Sequence, residues 1–382
     1  MKTNKMPWPS LLLLAFVACI AMISELLPAG FLQEMAGQYQ VPLGQMSLFI
    51  GTYAIMSAVV GIPVTRLFSH VNRRYYLIAV CLAYAAANFV IAWAPNFILA
   101  FVARLVAGSS AGALWAMLGS YPVSFLPHHL AGRGTTIVLG GVTIGLSIGL
   151  PLATAFAKAV TWQAGFMLVA SLFTVCALLG LKLFPSVAGE AYSAENNYLI
   201  LLKNKDILIV SLVTILLVLA HYMSYIYIQL ISEQAGVAVG SAQLAFGVGA
   251  LVSIFVVARF IDQRLHGLAI AIAILAGLAL LILNVLSQSS LLVYLAFVMW
   301  GLSFAPMTTV LQTACTQQVD RGKALANSLS ATSYDIAIML GSMIGGLTLT
   351  AIGLSGTLYL SIAVFILASV VIYKSPRTFT NK

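Results

Sequence analysis

Residues 11–32 read LLLLAFVACIAMISELLPAGFL, a run whose one charged side chain is Glu25. About 20 apolar residues at 1.5 Å rise per residue reach across ~30 Å of hydrocarbon, so the stretch reads as a membrane-spanning helix. An acid at that depth costs about 2.5–3.5 kcal/mol on insertion scales. The stretch therefore indicates the fold and raises the question of what keeps Glu25 there.

The rest of the chain repeats the pattern. Of 382 residues 62% are hydrophobic and 7% charged, against about 25% charged in a soluble protein. Twelve spans are expected, at 9–32, 44–66, 75–95, 97–120, 133–157, 162–184, 206–231, 240–260, 267–287, 290–313, 323–351 and 354–373. Lys2 and Lys5 before the first span suggest a secretion signal, but the apolar core is too long for one. The expected fold class is an all-α membrane protein, built as two pseudo-symmetric six-helix halves.

The net charge of +9 does not point to nucleic acid. Of the 18 Lys and Arg, all but Arg104 and Lys158 fall at the termini or in alternate loops, among them Arg66, Arg73, Arg74, Arg133, Lys182, Arg259, Arg264 and Arg321. This positive-inside pattern puts both termini in the cytoplasm. Cys19, Cys81, Cys176 and Cys315 are scattered within spans, without disulfide or metal spacing, and read as small packing residues.

The one long polar connection, PSVAGEAYSAENNYLILLKNK (185–205), lies at the middle of the chain. It divides an N-terminal bundle (1–184) from a C-terminal bundle (206–382). TRLFSHVNRR (65–74) and ARFIDQRLHG (258–267) follow the second and eighth spans. AGRGT (131–135) and VDRGKA (319–324) open the fifth and eleventh. Both pairs lie about 190 residues apart, the mark of parallel six-span repeats. Gly141, Gly145 and Gly149 recur at every fourth position before Pro151, and Gly341 and Gly345 do the same later. Such spacing lets two backbones pack closely in lipid, and Pro151 removes a backbone donor.

These residues resemble the major facilitator superfamily over the whole chain. The nearest likeness is to its drug:proton antiporter branch, among sugar-efflux and arabinose-efflux-like permeases. Glu25 with Pro28-Ala29-Gly30 matches the branch's first-span pattern, and Gly61, Arg73 and Arg74 match its loop signature. RLVAGSSAG (104–112) and GLSIGLP (145–151) resemble its fourth- and fifth-span patterns. There are departures: His70 stands where the loop signature has Asp, Ala111 where related sugar exporters often have His, and Asp335 where they often have Asn. The resemblance implies a gating or structural role for Gly61, Arg73, Arg74, Gly145, Gly149 and Pro151.

Of the nine acids only Glu25 and Asp335 lie well inside spans, and of the bases only Arg104. An ionisable group at that depth is a candidate functional site. Glu25 and Arg104 each lie about seven residues from the outer end of their spans, at nearly one depth. In the fold the chain resembles, both spans line a central cavity, so an interaction between them is expected, direct or through water. Three roles stay open. The pair fixes one helix against the other, or it couples a proton to a solute, or Glu25 only binds solute. Desolvation favours a neutral carboxyl and a nearby guanidinium an ionised one, and a solute arriving between them changes the balance. Pro28 leaves the Ser24 carbonyl without its helical donor beside Glu25. Asp335 sits on a polar stripe with Ser328, Thr332 and Ser342; it reads either as a protonation or solute site, or as an acid held between helices.

HYMSYIYIQ (221–229) puts His221, Ser224, Tyr225 and Gln229 on one expected face; His221 reads either as a group that titrates near neutral pH or as a buried neutral ring hydrogen-bonded to a neighbouring helix. Arg104, Gly108, Ala111 and Trp115 form a second stripe, and Trp300, Phe304, Met307 and Gln312 a third. Aromatic walls with a few polar groups suit a solute site, though such stripes also arise from packing. Candidate substrate contacts are Glu25, Arg104, Trp115, His221, Tyr225, Gln229, Trp300, Gln312 and Asp335; candidate proton-coupling residues are Glu25, Arg104 and Asp335. No phosphate-binding loop or HExxH motif occurs, which argues against an ATP-driven pump or a metalloenzyme. The expectation is a secondary transporter, not an enzyme, in a bacterial inner membrane. It exports a small organic solute against protons, needs no cofactor and no metal, binds no nucleic acid and works as a monomer. The alternative is uniport or import without proton coupling.

Overall fold

The first helix, α1 (Trp8–Leu26), starts just after Pro7, with Pro9 in its first turn, where a missing N–H costs nothing. It gives way at Leu27 to one 3-10 turn through Gly30, because Pro28 cannot donate to the Ser24 carbonyl. The computed structural model describes residues 6–68, 70–189, 204–286, 288–318 and 323–379. Every regular element among them is helical. The linker expected at 185–205 lies largely outside the described residues, as does the packing of Gly61, Arg66 and Ser328.

The chain continues through α2 (Leu32–Tyr39), α3 (Leu43–Leu67), α4 (Arg73–Trp93), α5 (Phe97–Phe125) and α6 (His128–Ile144). A π-helical turn (Gly145–Gly149) leads into α7 (Leu150–Ala159), and α8 (Trp162–Leu183) follows. After the linker come α9 (Lys205–Tyr225), α10 (Ile228–Gln234), α11 (Val239–Val285), α12 (Ser290–Thr316), α13 (Lys323–Lys374) and a final 3-10 turn (Pro376–Phe379). Eleven segments among the described residues are long and apolar enough to cross a membrane. The eleventh, Leu329–Lys374, has 46 residues, about 70 Å at helical rise. It is interrupted at Gly353, whose φ of +71° suits glycine. A similar break at Arg264 divides α11 into two of the eleven.

The chain forms two compact units, residues 1–41 with 52–193 and residues 42–51 with 194–382. In the first, the glycine ladder packs α6 and the π turn against α1. A Cβ added at Gly145 would lie 2.6 Å from the Cys19 carbonyl oxygen, and one at Gly149 2.7 Å from Ile23 Cδ1. In the second, Gly341 and Gly345 of α13 face the backbone of Leu219 and Met223 on α9. The small-residue spacing in the sequence thus marks real helix crossings, within each unit.

Each unit also ends in a strap. In the first, Ser10 Oγ donates to the Leu183 carbonyl at 2.6 Å and Tyr121 to that of Pro185; Asn72 Nδ2 donates to Ser186 Oγ at 2.8 Å. Arg73 N–H closes the strap on the Val187 carbonyl, so this expected gating residue ties α4 to the chain after α8. In the second, Gln318 Nε2 donates to the Thr378 carbonyl at 2.9 Å and Thr378 Oγ1 to Asp206 Oδ1 at 2.8 Å, while Phe379 is fully buried.

Candidate functional site

Among the described residues, each unit holds a buried cluster of candidate residues, polar in the first and aromatic in the second. The first is centred on Arg104 of α5, a guanidinium with no exposed surface. Its Nη1 donates to the Ser24 carbonyl at 2.8 Å and its Nη2 to the Glu25 carbonyl at 2.6 Å. The Ser24 oxygen is the acceptor that Pro28 leaves without a helical donor, so the fork of Arg104 supplies what proline removed. A cation at a helix C-terminus is also favoured by the helix dipole. The Tyr53 ring covers the guanidinium at 4.3 Å, and Gly108, one turn on, lets the Tyr53 backbone come close.

A relay surrounds this centre. Tyr53 and Tyr84 share a hydroxyl hydrogen bond of 2.5 Å. Ser24 Oγ donates to Asn88 Oδ1 at 3.1 Å, and Asn88 Nδ2 donates to the Tyr84 carbonyl at 2.9 Å. Tyr84 stacks on Phe173 at 4.4 Å. Glu25, 8% exposed, sits at the end of α1 and interacts electrostatically with Arg104 and Tyr84. The expected meeting of Glu25 and Arg104 therefore occurs. Its form differs from a bare ion pair, since the guanidinium is anchored on main-chain oxygens. Tyr53, Tyr84 and Asn88 were not singled out in the sequence, where Asn88 within an apolar span was the available signal.

The second site is aromatic. His221 and Tyr225 of α9, Phe246 of α11, and Trp300 and Phe304 of α12 form one cluster. His221 stacks on Phe304 at 3.8 Å and 11°, and on Tyr225 at 5.1 Å and 22°. Trp300 stands edge-on to His221 at 5.5 Å and to Tyr225 at 5.7 Å. A close crossing brings the rings together: Gly249 lies against the Val298 backbone and Gly301 against that of Phe246. The expected hydrogen bond of His221 to a neighbouring helix is corrected for Nδ1, which has no partner among the described residues. Stacking holds the ring instead.

The remaining candidates are less concentrated. Gln229 falls beyond the end of α9, on α10, and its Nε2 bonds Glu233 at 3.0 Å; it does not continue the face of His221. Asp335 is half-buried on α13 and has interactions of its own, while Ser342 of the same stripe bonds the Ser47 carbonyl at 2.5 Å. Trp115 and Gln312 are half-buried. Pro151 opens α7 directly after the π turn. Arg74 covers Tyr75 at 5.8 Å. Among the described residues no three His, Cys, Asp or Glu side chains gather as a metal site.

Residues 14–324 match the family model described as Major Facilitator Superfamily. The chain belongs to that superfamily. It is 28% identical over 365 residues to a chloramphenicol efflux pump of Mycobacterium tuberculosis, covering 90% of this chain and 88% of that one. It is 23% identical to a probable sugar efflux transporter of Mannheimia succiniciproducens, covering 99% and 98%. To a purine ribonucleoside efflux pump of Escherichia coli it is 24% identical, covering 96% of each chain. A bacterial homolog of the human lysosomal transporter Spinster shares its fold, with a TM-score of 0.80 at 16% identity over 98% of both chains. The protein is thus a multi-pass membrane transporter of a superfamily with efflux-type members.

Proposed function

We propose that this transporter exports a small organic solute in exchange for protons, by alternating access, with Glu25 as the coupling carboxylate. The observation that carries the reading is the break in α1. An acid, a fully buried guanidinium and two tyrosines meet where Pro28 ends the helix. Moving a proton on Glu25 changes the charge beside Arg104, and Arg104 grips the end of α1, so protonation and helix position are coupled through one side chain. One elementary charge crossing 100 mV is worth ~2.3 kcal/mol, which drives a useful gradient of a neutral solute.

In this reading the break at Gly353 makes the eleventh apolar segment two spans, giving twelve in two six-helix halves (1–184 and 206–382) with both termini cytoplasmic. The protein works as a monomer in the inner membrane of a bacterium. Trp115, His221, Tyr225, Gln229, Trp300, Gln312 and Asp335 contact the solute, Asp335 being the second acid available for protonation. Gly61, Arg73, Arg74, Gly145, Gly149 and Pro151 serve the conformational change. Relatives named for export of chloramphenicol, sugars and purine ribonucleosides support the direction and the solute size.

A second reading, uniport or import without proton coupling, has one observation in its favour. The donors of Arg104 that bond Ser24 and Glu25 meet main-chain oxygens, as a purely structural residue's would. Proton release separates the two. Candidate sugars, nucleosides and drugs are added to purified protein in weakly buffered detergent, for wild type and Glu25→Gln. Release from wild type and none from Glu25→Gln is expected. Solute binding without release from either protein leaves the second reading.

A further inference from the structure

We propose that the aromatic cluster of the second unit is the part of the solute site that selects chemistry, and that it takes a neutral, planar ring carrying hydrogen-bonding atoms on its edge. The inference rests on the transporter reading and narrows its substrate class.

Three observations combine. The rings come from three helices and present faces as well as edges: Tyr225, His221 and Phe304 lie within 22° of parallel, while Trp300 turns an edge toward His221 and Tyr225 and Phe246 lies tilted against all three. Offset-stacked and edge-to-face arrangements are how aromatic rings attract one another, so a planar ring entering the cluster meets the contacts the side chains already make. Second, three of these rings carry a polar atom without a partner among the described residues. His221 Nδ1, Tyr225 Oη and Trp300 Nε1 are buried without a partner among the described residues. So are Ser224 Oγ and both amide atoms of Gln243, one turn before Phe246 on the buried face of α11. Buried polar groups are nearly always paired, and unmatched groups grouped on the side chains of one stack call for a shared partner with donors and acceptors of its own. Third, none of the cluster's side chains is Asp, Glu, Lys or Arg. A formal charge entering there would lose its hydration without gaining a counter-charge.

A sugar ring fits less well. Its hydroxyls call for many polar partners around a single aromatic platform, whereas here rings face rings. Because His221 and Phe304 already touch, the solute exchanges one ring–ring contact for another. Stacking is roughly conserved in that exchange, and the polar edges gain partners. Discrimination therefore comes from the edge atoms and occupancy from the faces.

The test uses the full-length protein in nanodiscs, with adenosine, thymidine and p-nitroaniline as neutral planar probes, arabinose as a neutral non-aromatic probe and ethidium as a planar cation. Binding is read by isothermal titration and folding by thermal denaturation. Trp300→Phe and Tyr225→Phe keep a ring and remove one unmatched polar group each. The expected result is binding of at least one neutral planar probe, weakened about fivefold or more by each variant, with an unchanged or raised melting temperature for Tyr225→Phe and a lowered one for Trp300→Phe, which leaves a cavity where the indole was fully buried. A merely structural role for the two groups would instead lower the melting temperature of Tyr225→Phe as well and leave affinity intact, which overturns the proposal. Binding of arabinose or ethidium alone overturns it while leaving the transporter reading in place. If no probe binds and none of the solutes in the proton-release experiment is bound, both fall together.

Discussion

Replacing Arg104 by Lys separates main-chain capping from ion pairing at the heart of the first site. Arg104 makes two charge-assisted hydrogen bonds, to the Ser24 and Glu25 carbonyls, and lies under Tyr53. Each such bond contributes about 1.5–3 kcal/mol, and a desolvated cation–ring contact about 2 kcal/mol. Lysine keeps the charge but not the planar fork, so it meets one carbonyl, leaves the other without a donor and stacks poorly. The expected loss is about 2–4 kcal/mol by that count. At roughly 2–4 °C per kcal/mol for a unit of this size, the melting temperature in detergent falls by several degrees. Glu25→Gln leaves both carbonyls in place, so its shift is the smaller. Equal shifts for the two variants, or an Arg104→Lys protein as stable as wild type, would refute main-chain capping as the main role of the guanidinium.

Adjacent glycines give a sharper contrast. Gly140 has nothing within 4 Å of an added Cβ, whereas Gly141 faces the Ala15 carbonyl. Gly140→Ala should be neutral or stabilising by up to about 1 kcal/mol, and Gly141→Ala destabilising by about 1–3 kcal/mol, both read by thermal denaturation. Phe379→Ala, in the strap closing the second unit, should cost about 3–5 kcal/mol, read by thermal denaturation. Tyr84→Phe leaves the Tyr53 hydroxyl without its 2.5 Å partner and should cost about 1–3 kcal/mol. Lys158→Gln removes the ion pair with Glu34, whose side chains are 31% and 40% exposed; its effect should stay within about 1 kcal/mol.

The legible parts of the sequence were those governed by local spacing. Runs of apolar residues located the spans, and glycines at every fourth position located the crossings of α1 with α6 and of α9 with α13. Pro28 located the orphaned Ser24 carbonyl. Less legible was what meets that oxygen: depth brought Glu25 and Arg104 together, but depth does not say whether a guanidinium reaches a side chain or a backbone. The break after Tyr225 was also hidden, since HYMSYIYIQ carries no Pro or Gly to announce it. Gln229 consequently left the face assigned to it. Tyr53 lies on α3, Tyr84 and Asn88 on α4 and Arg104 on α5, and only packing places their groups together.

The central claim is that a proton moved at Glu25 drives solute export. Its most direct test is solute movement in proteoliposomes under an imposed pH gradient, with no membrane potential, for wild type and Glu25→Gln. The account predicts that wild type accumulates a bound solute against its gradient, in the direction opposite to proton flow. Glu25→Gln should still exchange solute at equal concentrations but accumulate none. Accumulation by Glu25→Gln equal to wild type, or wild-type transport indifferent to the pH gradient, would contradict it.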